Sequence, residues 1–132
     1  MKTNMTSIGL DTQYIDAIKA LERGEKTAKT KIAWFLLTGY GDVKRDEKKA
    51  VEILEERVKE KDYEAMWILG ICKEYGIGIE EDIEGAEKLY RSSNEGGNEV
   101  GKILETKIKN GRGNGKMKIT SSLLKKENKN VN

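Results

Sequence analysis

The residue type that would do most chemistry is missing here: the chain has 132 residues and no histidine. Without an imidazole there is no Ser-His-Asp or Cys-His relay and no histidine-based metal site. Carboxylates are the remaining acid–base candidates. They cluster at Glu55-Glu56 and at Glu80-Glu81-Asp82, where a shared proton could separate an acid from a base. Both clusters fall on expected exposed helix or loop positions, where water solvates each charge. Cys72 is the only thiol, so no internal disulfide can form, and its apolar neighbours predict a buried, unreactive sulfur. Gly111-Arg-Gly-Asn-Gly115 has the look of a phosphate loop, but it follows a helical pattern and lacks the Gly-Lys-Ser/Thr ending. No catalytic residue, metal ligand or cofactor is expected.

What the glycines do instead is punctuate. Gly39-Tyr-Gly41, Gly76-Ile-Gly78 and Gly111-Arg-Gly113 recur at spacings of 37 and 35 residues, the range of stacked helical repeats. From Ala28 to Gly41 the matching residue lies 37 further on, so Ala28 meets Ala65, Ile32 meets Leu69 and Ala33 meets Gly70. Asp42 is then extra. Beyond it the offset is 36: Val43 meets Ile79, Asp46 meets Asp82, Ala50 meets Ala86, and Leu54 meets Tyr90. Paired glycines suit a tight reversal that needs positive φ. Asp46 and Asp82 stand where the next helix should begin and can cap it, worth roughly 1 kcal/mol. Ala28, Ala50, Ala65 and Ala86 are expected to let helices approach closely.

Six helices and a tail are predicted. The first runs from about Asp11 to Arg23. The next three span about Glu25 to Thr38, Asp46 to Lys61, and Asp62 to Tyr75. Asp82 starts the fifth, and Asn98 to Asn110 forms the sixth. No segment alternates like a strand. The division that follows is an N-terminal extension (residues 1–10), a repeat domain (11–113) and a basic tail (114–132). Within the domain the readings are a half repeat at 11–24, repeats at about 25–61 and 62–97, and a degenerate third at 98–113.

Composition fits one small helical domain: 36% hydrophobic, 36% charged and no proline. No apolar stretch approaches a membrane span, and residues 1–10 lack the apolar run of a signal peptide, so a cytoplasmic or nuclear setting is expected. The net charge of +2 is uneven, since residues 102–132 hold nine Lys or Arg against Glu105 and Glu127. That tail, with a short helix expected at Ser121 to Glu127, offers a second route to function through nucleic acid or another acidic surface. Against this, no aromatic residue follows Tyr90 to stack on bases.

The run Ala65-x3-Leu69-Gly70-x5-Gly76-x-Gly78-Ile79-x2-Asp82-x3-Ala86-x2-Leu89-Tyr90 resembles a Sel-1-like repeat, a relative of the tetratricopeptide repeat. Ala28 to Leu54 is a second, looser copy. Departures are Lys73 where the family usually has Tyr, Ala33 for Gly, and the inserted Asp42. The resemblance implies an all-α fold, a short right-handed α-α superhelix (solenoid) of antiparallel helix pairs. It also implies a non-enzymatic adaptor or scaffold with another protein as partner. Such a partner is expected on the concave side, lined by the first helix of each pair, where Trp34, Trp67 and Lys73 are the candidate contacts. The competing expectation is that both indoles fill the core.

Overall fold

In the computed structural model the described residues are 11–113, and every regular element among them is helical. The helices are α1 (Thr12–Glu22), α2 (Ala28–Thr38), α3 (Glu47–Lys59), α4 (Tyr63–Tyr75), α5 (Ile83–Glu95) and α6 (Glu99–Gly113). The expected N-terminal extension, residues 1–10, and the basic tail, residues 114–132, lie outside the described residues.

Helix starts are set by short acceptor side chains that satisfy otherwise free backbone N–H groups. Asp46 accepts from the Lys49 N–H at 3.0 Å and Asp82 from the Gly85 N–H at 2.9 Å. Asp11, Asp62 and Asn98 do the same for α1, α4 and α6. At the other end, Gly39 (φ 71°) and Gly76 (φ 69°) terminate α2 and α4 in the left-handed region, as their spacing predicts. Asp42, the extra residue, has φ 63° and is taken up by a single 3-10 turn over Tyr40–Asp42, so the stacking is undisturbed. The second glycine of each pair is needed for closeness as well as φ: a Cβ on Gly78 would sit 2.6 Å from the Glu47 carbonyl oxygen at the start of α3.

The third Gly-x-Gly departs from expectation. Gly111 and Gly113 are inside α6 rather than in a turn. The reason is register. Asp62 and Asn98 cap equivalent helices 36 residues apart, so Gly111 occupies the place of Tyr75, and Arg112 stands where Gly76 ends α4. A second departure is Ala28: it begins α2, three residues later than expected, and is half-buried, whereas Ala50, Ala65 and Ala86 are fully buried.

Consecutive helices pack as hairpins, and in addition α2 touches α4 and α4 touches α6. This is the arrangement of an α-α solenoid, with the first helix of each pair on the inside of the stack. One core cluster joins α2, α3 and α4 through Ala33, Leu37, Leu54, Leu69 and Cys72; a second joins α5 and α6 through Ala86, Tyr90 and Ile108. Repeat volumes are matched in pairs. Gly70 leaves room for the Tyr90 ring, whose Cε1 would lie 2.5 Å from an added Cβ, while Ala33 at the equivalent position shares its cluster with the smaller Leu54.

Candidate interaction surface

α2 and α4 carry the two indoles because both helices are apolar on more than one side. Trp34 and Trp67 meet edge to face, with ring centroids 6.0 Å apart and planes at 60°. Trp34 remains 39% exposed. Trp67 is half-buried and packs against both core clusters, so it joins the halves of the stack while presenting one edge to Trp34. Neither of the two simple expectations describes the pair: one indole is largely structural and the other is available.

The structure does not bring Lys73 to them. It lies six residues from Trp67, roughly 240° around the helix at 3.6 residues per turn, and its ammonium is 4.0 Å from the Asp82 carboxylate that caps α5. In its place the inner side continues through Ile71, Tyr75, Leu104 and Lys107, which line a depression of about 230 Å³ between α4 and α6. Tyr75 is 64% exposed. Ile71, Tyr75 and Leu104 are not among the contacts expected from the sequence, although Ile71 is the residue 37 positions after Trp34.

A buried polar cluster holds these helices in place. Asp62 accepts 2.6 Å from the Thr30 hydroxyl of α2 and 3.4 Å from the Arg57 Nε of α3, while its other oxygen accepts the Glu64 and Ala65 N–H groups. Arg57 and Asp62 side chains are only 9% and 12% exposed, so each needs the other. Tyr90 donates 2.7 Å to Glu74, tying α5 to the inner helix, and burial followed by that hydrogen bond pushes its phenol well above the usual range. Glu105 of α6 accepts from the Asn94 amide at 2.9 Å.

The one thiol lies in the core rather than on this surface. Burial, and secondarily Glu47, raises the Cys72 thiol to about 11, so it stays protonated at neutral pH. Among the described residues no group of three His, Cys, Asp or Glu is placed to hold a metal ion, and no described helix is long and apolar enough to cross a membrane. The readings that rest on the basic tail fall outside the described residues.

No curated protein and no solved structure matches the chain. A family model described as Sel1 repeat matches it twice, at residues 27–56 and 64–98.

Proposed function

This chain belongs to the Sel1 repeat family, and from that premise we propose that it is an adaptor or scaffold module that docks another protein on the inner side of α2, α4 and α6. Repeats of this family generally mediate protein–protein interaction and are typically non-catalytic. The observation that carries the reading is Trp34. A large indole 39% exposed, braced by a second indole that itself packs with Ile71 and Leu104 on the α5–α6 core, is the kind of rigid aromatic anchor on which binding energy concentrates. The proposal includes a cytoplasmic location and the division into a repeat domain (11–113) with flanking segments.

Affinity capture from the native cell with the wild-type chain, Trp34→Ala and Tyr40→Ala tests it. Tyr40 is a more exposed aromatic, but it lies in the turn outside this surface. Loss of a specific protein with Trp34→Ala and retention with Tyr40→Ala is expected, with unchanged far-UV circular dichroism in both. Identical recovery by all three chains sinks the reading.

A further inference from the structure

Pairing of helices leaves two faces without their counterpart among the described residues. α2 with α3 and α4 with α5 are complete hairpins. α1 is the second helix of a pair and α6 the first helix of another. The register makes both statements specific. Gly24 (φ 94°) and Lys61 (φ 61°) end α1 and α3 in the same left-handed backbone, 37 residues apart. The stripe Ala50, Leu54, Arg57, which faces α2, therefore corresponds to Gln13, Ala17, Ala20 on α1. By the 36-residue register of Asp62 and Asn98, Trp67, Gly70 and Ile71 of α4, which meet α5, and the buried Met66 correspond to Ile103, Thr106, Lys107 and Lys102 on α6.

Both sets of residues surround open depressions. Gln13, Asp16, Ala17 and Ala20 of α1, with Ala28 and Lys31 of α2, line a groove of about 480 Å³ where a first helix would lie. Lys31 stands at the place of the buried Ile68, and Ala28 at the place of the buried Ala65, which explains why Ala28 is not enclosed. On α6, Lys102, Ile103, Thr106 and Lys107 line a depression of about 440 Å³, and Ile103 is 61% exposed with Val100 beside it at 38%.

We propose that a second copy of this chain fills both: α6 of one molecule lies in the α1–α2 groove of the next, forming a helix pair of the same kind as α2–α3 and α4–α5. Among the described residues the two vacancies are complementary in kind, an unpaired second helix at one end and an unpaired first helix at the other. The small floor of Ala17, Ala20 and Ala28 accepts the branched side chains of Ile103 and Val100. Charge agrees. Arg23 is held by Glu25 at 3.1 Å, so among the remaining charges lining the groove Asp16 and the neighbouring Glu64 outnumber Lys31, while on α6 Lys102 and Lys107 outnumber Glu99. Such a contact is heterologous, so it builds open chains of molecules rather than a closed dimer. Lysines and a threonine in place of Met66, Ile71 and Gly70 make it weaker than the internal seams.

Sedimentation of the full 132-residue chain, from about 10 μM to 1 mM, the range of weak contacts, tests this with Ile103→Arg and Asp16→Arg, both exposed positions. Wild type should grow in mass continuously with concentration. Each variant alone should stay monomeric. An equal mixture should recover a dimer and no more, because the intact α6 of Asp16→Arg meets the intact groove of Ile103→Arg. A wild-type chain that is monomeric at 1 mM overturns the proposal; nuclear Overhauser contacts from Ile103 to Leu123 or Leu124 in that monomer would show that the chain covers the face itself. A dimer that stops at two, or a mixture that stays monomeric, overturns it as well.

Discussion

Asp62 does two jobs that are normally separate. One carboxylate oxygen caps α4 and the other holds Thr30 of α2 and Arg57 of α3, so a single side chain fixes three helices. Asp62→Ala leaves a guanidinium buried without its partner and should cost about 3–5 kcal/mol, whereas Thr30→Val should cost about 1 kcal/mol; urea unfolding measures both. A cost of only about 1 kcal/mol for Asp62→Ala, with none for Thr30→Val, would show that the cap alone matters. Glu105 carries a pH dependence. The Asn94 hydrogen bond, then Lys109, holds its carboxyl below the usual range against the opposing effect of burial. A carboxyl lowered on folding stabilises fully above its unfolded pKa, and that contribution disappears as pH falls through the lower folded value. Glu105→Gln should therefore lose stability at neutral pH and show a flatter acid limb in thermal melts below the ordinary carboxylate range.

At the level of helices and turns, equal glycines have unequal roles. Gly76 sits at φ 69° and ends α4, while Gly111 is within α6. Gly76→Ala should destabilise by about 1 kcal/mol or more, and Gly111→Ala should be neutral or stabilise by up to about 1 kcal/mol, because alanine is the better helix former; paired thermal melts decide it. The first two turns and the aspartate caps were legible in the sequence because positive φ and free N–H groups demand particular residue types locally. The third glycine pair makes no turn because it recurs at 35 residues while the caps repeat at 36, a register that Asn98 already records. Thr30, Arg57 and Asp62 could not be joined from sequence, since their contact spans 32 residues and depends on how α2, α3 and α4 stack. Trp34 and Trp67 stand out by type, and only packing separates the exposed ring from the one that joins the two core clusters.

For the whole molecule, α4 is the keystone. It contributes Ala65, Ile68, Leu69 and Cys72 to the first core cluster, and its Trp67 and Ile71 pack on the second. α1 contributes one buried residue, Ala17. In a linear stack, where each helix is stabilised by its neighbours, protection should fall from the middle outward. Native-state hydrogen exchange should find the slowest amides in α4 and the fastest helical amides in α1; uniform protection across both would mean that the array opens only as a unit.

The lone thiol at the heart of this stack adds a consequence of its own. Because Cys72 has no solvent exposure and a raised pKa, intact molecules should neither cross-link in air nor take up an alkylating reagent. Either reaction has to wait for α4 to part from its neighbours, so the chain carries a natural clock for the loosening of its centre.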